Sequence, residues 1–155
     1  MKRIFLALLL STLGAAHAQL KVTAPAVQTC AAKAFPVLGI TVERMGGTAG
    51  YELTEALRDD LTRRGFQVVP DYSHDLVDLA SIGIKGDAEY WENYQGRSSS
   101  RIGEARLVIY DVNFRNKVLL NLDQEPARIV WNAPIEADFA KSIGDVIAKT
   151  FCQKS

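Results

Sequence analysis

Tyr51 to Val69, YELTEALRDDLTRRGFQVV, is the stretch whose reading decides the fold. Leu53, Ala56, Leu57 and Leu61 recur at helical spacing and make one apolar stripe, after which Gly65 introduces the strand-like Phe66-Gln67-Val68-Val69. Glycine suits the position just past a helix end, where the backbone turns left-handed and a side chain would be strained. Asp59 with Arg63 and Asp60 with Arg64 stand four apart, acid first, the order that the helix dipole favours. The stretch reads as an amphipathic helix delivering a strand into a sheet.

Working outward, residues 37 to 45 predict a strand, because Leu38, Ile40 and Val42 alternate with Gly39, Thr41 and Glu43. Gly46-Gly47-Thr48-Ala49-Gly50 then leads into the helix. A glycine-rich turn before a helix can cradle phosphate on backbone amides. Here no Lys-Ser or Lys-Thr follows and the G-x-G-x-x-G spacing is missing, so Thr48 reads as a helix cap instead. On the other side, Pro70 to Ser73 predicts a turn and His74 to Ile84 a second long strand. Ser73, His74 and Asp75 are neighbours in sequence and so do not face one another as a catalytic set would. Asp59 with Asp60, and Glu89 with Glu92, read as solvated faces, since acid and base work needs a desolvated carboxyl that nothing nearby promises.

Asp87 to Gly103, DAEYWENYQGRSSSRIG, has the most unusual composition. Tyr90, Trp91 and Tyr94 fall at helical spacing between Asp87, a candidate cap, and Gly96, a candidate stop, with Arg97 and Arg101 behind them in a serine-rich segment. One reading is a short helix whose aromatics cover a sheet edge. The other makes Tyr90, Trp91, Tyr94, Arg97 and Arg101 a partner-binding surface, because aromatics and arginines dominate binding hot spots. Beyond it, 106–112, 117–122 and 127–131 predict three strands joined by short turns, an antiparallel meander. A final helix starts at Pro134 and repeats Phe139, Ile143, Val146, Ile147 and Phe151 on one face. The expected fold class is α+β: a two-layer sandwich, its sheet mixed or mostly antiparallel, with two main amphipathic helices on one face.

The termini speak to compartment. Met1-Lys2-Arg3 is basic, Ile4 to Leu13 is apolar, and Ala16-His17-Ala18 closes the run with small residues. This is the layout of a signal peptide over residues 1–18, cleaved after Ala18, and the apolar run is too short for a permanent membrane anchor. The expected product is a single periplasmic domain over residues 19–155. It is not lipidated, since no cysteine stands at the cleavage point. Its acidic residues outnumber the basic ones by two, with no run of like charge, which removes nucleic acid and anionic membrane surfaces from the expected partners. Cys30 and Cys152 lie near opposite ends, and in an oxidising compartment they predict a disulfide, with two unpaired thiols as the alternative. Two distant cysteines and His74 do not make a metal-ligand set, so no metal or cofactor is expected.

ALRDDLTRRGFQVV (Ala56 to Val69) and LLNLDQEPARIVWNAPI (Leu119 to Ile135) together resemble an uncharacterised group of bacterial periplasmic proteins and lipoproteins. The matching positions are Leu61, Gly65 and Phe66, then Asp75 and Leu76, then Leu122, Asp123, Val130 and Trp131. The architecture is also similar to the anticodon-binding-like fold of penicillin-binding-protein activator lipoproteins and of the TolB amino-terminal domain. That group carries no established catalytic residues to transfer. The resemblance implies a non-catalytic cell-envelope module that binds or assembles with a protein or glycan, the alternative being a small periplasmic hydrolase with a site dispersed through the sequence.

Overall fold

The computed structural model describes residues 20–23, 36–37, 39–70, 80–92, 96, 98–113, 117–126 and 130–153, without the side chains of residues 36, 37, 98, 131, 152 and 153. The expectations for the signal peptide, Cys30, residues 71–79, Tyr94, Arg97 and the Cys152 sulfur lie outside the described residues. The strands are β1 (Lys21–Thr23), β2 (Pro36–Val37), β3 (Ile40–Val42), β4 (Val68–Val69), β5 (Ile82–Glu92), β6 (Ser98–Asp111), β7 (Val118–Gln124) and β8 (Cys152–Gln153). The helices are α1 (Gly50–Arg63) and α2 (Glu136–Thr150), with a 3-10 turn at Val130–Asn132.

Six strands form one mixed sheet in the order β1-β7-β6-β5-β3-β4. β3 runs parallel to β4 and β5, and the other neighbours are antiparallel. β2 pairs in parallel with β8 in a small separate sheet. The register puts Ile84 opposite Ile109 and Ile109 opposite Leu120, with Leu107 opposite Leu122, so a single face collects the apolar side chains. α1 packs on β3, β4 and β5 while α2 packs on β6. Leu53, Leu57 and Leu61 of α1 and Ile143 and Ile147 of α2 are fully buried there. Each such side chain contributes roughly 2 kcal/mol of burial. The expected α+β class with two helices on one face is what the chain adopts.

α1 ends as its sequence requires. Gly65 has φ 85°, its N–H donates to the Thr62 carbonyl at 2.9 Å, and the Phe66 N–H reaches back to Leu61 at 3.0 Å. These are the two bonds of a Schellman cap. The pair Asp60 and Arg64 does more than decorate the helix. Arg64 Nε donates to Asp60 Oδ2 at 2.5 Å, its Nη1 meets Asp145 Oδ1 of α2 at 2.9 Å, and its Nη2 donates to the Lys141 carbonyl at 3.1 Å. The opposing residue on α2 is Gly144, where a Cβ would fall 2.1 Å from Asp60 Oδ2. The missing side chain is the notch in which this ion pair sits. Arg63 turns to Asp60 at 3.6 Å instead of to Asp59.

Four expectations are corrected. The described residues of Asp87 to Gly103 are not helical: those up to Glu92 belong to β5 and those from Ser98 to β6, so Asp87 lies within a strand and caps no helix, and Gly96 falls between the two strands. The pairing of β5 with β6, which sets Tyr90 opposite Ile102 and Glu92 opposite Ser98, outweighs the local helical spacing of three aromatics. The third strand of the meander is also absent, because Val130–Asn132 winds into a 3-10 turn. Its following carbonyls serve the sheet edge: Pro134 accepts the Ile102 N–H at 2.7 Å and Ala133 accepts from Arg101 Nη1 at 2.7 Å. Third, the strand expected over 37–45 is shorter, with its ladder confined to Ile40–Val42. Fourth, Thr48 does not cap α1. Ala49 occupies that position without a side-chain hydrogen bond.

Candidate binding surface

Instead of capping, the Gly46–Ala49 loop closes the open edge of β5. Gly46 N–H donates to the Gly86 carbonyl at 3.0 Å, Ala88 N–H to Gly46 at 3.0 Å and Ala49 N–H to Ala88 at 3.0 Å. Side chains would not fit: a Cβ on Gly46 would lie 2.2 Å from Asp87 Oδ1, and one on Gly47 2.2 Å from the Ala88 carbonyl. The glycines thus permit backbone to lie against backbone, and the amides that a phosphate would need are spent on the sheet.

Thr48 continues the seam. Its hydroxyl donates to Glu89 Oε2 at 2.7 Å and accepts the Tyr90 N–H at 2.9 Å, while its own N–H donates to the same carboxylate at 3.0 Å. The hydroxyl and then the amide of Thr48 hold the Glu89 carboxyl below its ordinary range. Tyr90 points to the helical side and packs against the core, where its O–H donates to Glu136 Oε1 at 2.7 Å. Burial first, then that bond and the charges of Glu136 and Glu52, push its phenol up to about 12. A phenol that holds its proton so firmly is a poor acid or base near neutral pH.

Both helices begin at this end, flanking Tyr90, and the surface around it is partly apolar. Tyr51, second residue of α1, is 55 % exposed with the Arg44 guanidinium 5.5 Å from its ring centroid. Ile135, which precedes α2, is 39 % exposed. Trp91 is half-buried, its backbone lying over Gly103 of β6. Of the five residues expected to bind a partner, Tyr90 and Arg101 are thus braced to the body of the protein, Trp91 lies on the same hairpin, and Tyr94 and Arg97 lie outside the described residues. Sequence reasoning passed over Arg44, Tyr51 and Ile135. The signal for Tyr51 was available, since it is an aromatic at a helix start off the apolar stripe.

On the far side of the sheet, the Tyr110 ring crosses Gly83 and its O–H donates to Glu43. Lys85 Nζ stands 5.1 Å from the ring centroid. Among the described residues, no group of three His, Cys, Asp or Glu side chains comes together as a metal site, and no helix is long and apolar enough to cross a membrane.

No protein-family model matches the chain, and no curated protein matches it by sequence. Among the solved structures that share its fold are two PelC dodecamers from Paraburkholderia phytofirmans. One, a variant of that protein, aligns with a TM-score of 0.54 at 14 % identity over 88 % of this chain and 100 % of its own. The second aligns with a TM-score of 0.51 at 13 % identity over 88 % of this chain and 99 % of its own. At such identities the likeness is one of fold: this chain folds as the PelC subunit does.

Proposed function

We propose that this protein is a non-catalytic, exported cell-envelope module that binds a protein or glycan partner and assembles in more than one copy. Its binding surface is the end formed by the two helix starts and the β5–β6 hairpin. The observation that carries the reading is the grouping there of Tyr51 under Arg44, Ile135 and Trp91 on a frame made rigid by Thr48, Glu89, Tyr90 and Glu136. Exposed aromatic and arginine side chains on a braced surface lose little conformational entropy on binding, which is the make-up of a hot spot. The layout of residues 1–18 supports export, and the likeness to chains that form dodecamers supports self-association.

A photo-crosslinking side chain placed at position 51 or 135 tests the surface in intact cells. Capture of an envelope protein or a carbohydrate at both sites, well above that from the exposed Arg63 position at the other end of α1, is the expected result. Equal capture from all three positions would remove the surface from consideration.

A further inference from the structure

The helical layer is narrower than the sheet. Packed helices stand about 10 Å apart and neighbouring strands about 4.8 Å apart, so two helices shade roughly four of the six strands. α1 takes β3 to β5 and α2 takes β6. The strand farthest from them is β1. All three of its residues are exposed, and Val22 remains 43 % exposed although Leu122 opposite it is fully buried. Leu20, immediately before the strand, is half-buried and packs against the core. Among the described residues, the β1–β7 ladder covers Asn121 to Asp123 alone, Val118 to Leu120 of β7 pair with no strand on that edge, and Val118 is 36 % exposed.

We infer that β1 is an exchangeable strand: in the assembled protein, residues 20–23 of one copy pair with β7 of a second copy, in the register that sets Lys21 opposite Asp123. This rests on the self-association proposed above and adds to it the segment that joins the copies. Three rungs and one half-buried leucine are a weak hold, and the same rungs form whether the two strands come from one chain or two. Exchange therefore gives up no contact of the single chain. Lys21 and Asp123 are opposite charges in facing positions, which selects this register. Residues 24–35, between β1 and β2, reach roughly 40 Å when extended, about twice the distance from β1 across the sheet to β3. Growth by adding a strand outside β1 is opposed by its shortness and by Lys21, devices that blunt sheet edges. Exchange onto β7 meets no such obstacle.

The experiment uses the Thr23→Cys, Asn121→Cys double variant, whose two positions face one another within disulfide reach. Chains labelled with light and heavy nitrogen are mixed, refolded together, oxidised and digested, and the linked peptides joining positions 23 and 121 are weighed. Exchange predicts mixed-isotope links at about the statistical half of the total. Links of a single isotope only overturn it. Light scattering on the unmodified chain separates the two proposals: a multimer without mixed links leaves self-association standing and ends strand exchange, whereas a monomer at every concentration ends both. Val22→Pro supplies a second measurement that needs no new cysteine. It is expected to reduce the mass to that of one chain with the far-ultraviolet spectrum retained, and a multimer that survives it counts against exchange.

Discussion

Thr48 joins three elements through one hydroxyl and one amide, and its worth can be measured. Thr48→Val removes a bond to a carboxylate and leaves the Tyr90 N–H without its acceptor. A loss of about 1 to 2 kcal/mol is expected in urea titration at neutral pH. Because the Glu89 carboxyl is held below its ordinary 4.5, the part of that stability due to its charge is present above 4.5 and is lost as pH falls through the lowered value. The gap between the parent and Thr48→Val should accordingly narrow as the pH falls below the ordinary carboxylate range, and a gap that widens there would contradict the assignment. Tyr90 runs the opposite way. Its phenol is pushed up to about 12, so the stability it contributes is whole below its ordinary 10.0 and is lost as pH rises through about 12. In an ultraviolet titration of the folded protein, Tyr90→Phe should delete the phenolate transition near 12. Neither role was legible in the sequence. Thr48 precedes a helix as a cap would, and only the fold brings Glu89 and Tyr90 to it from 41 and 42 residues away.

At the scale of elements, the contact between α1 and α2 gives a prediction whose sign is contrary to local propensity. Gly144→Ala would improve the helix by roughly 1 kcal/mol if α2 stood alone. Against Asp60 and Arg64 the new methyl has no room, and overpacking of this kind costs about 1 to 3 kcal/mol. A net destabilisation of about 1 to 2 kcal/mol in chemical denaturation is expected, and a stabilised variant would show that the helices can part without loss. α1 itself was plain from Leu53, Leu57, Leu61 and Gly65, as was α2 from Phe139, Ile143 and Ile147, because an apolar stripe and a capping glycine are local properties. The hairpin was not. Register shifts between Glu89 and Tyr90 and between Tyr90 and Glu92 break the two-residue alternation that would have marked a strand. Tyr90, Trp91 and Tyr94 then matched a helical period by default, and Ser98 to Ser100 looked like a connector although the pairing with β5 makes them part of a strand. β1 was invisible for a different reason: with every residue exposed, it carries no burial pattern at all.

At the scale of the whole molecule, the small parallel sheet sets Pro36 beside Cys152, two residues past the end of α2. The disulfide expected between Cys30 and Cys152 has a direct test. Thiol labelling of material from an oxidising compartment should find no free sulfhydryl, and reduction should lower stability by about 5 kcal/mol by the loop-entropy argument. Two labelled thiols would refute the pairing. With a formal net charge of zero, copies of the chain are not held apart by charge, so the multimers proposed above should persist without added salt.

The pairings β1 with β7 and β2 with β8 also impose an order in time. The earliest strands made wait for the latest, since Lys21 meets Asp123 and Pro36 meets Cys152. The β1–β7 ladder needs the chain as far as Asp123 and the β2–β8 ladder as far as Gln153, and contacts so distant along the chain form slowly. Both ladders are therefore expected to close after the β5–β6 and β6–β7 pairs, whose strands are neighbours in sequence.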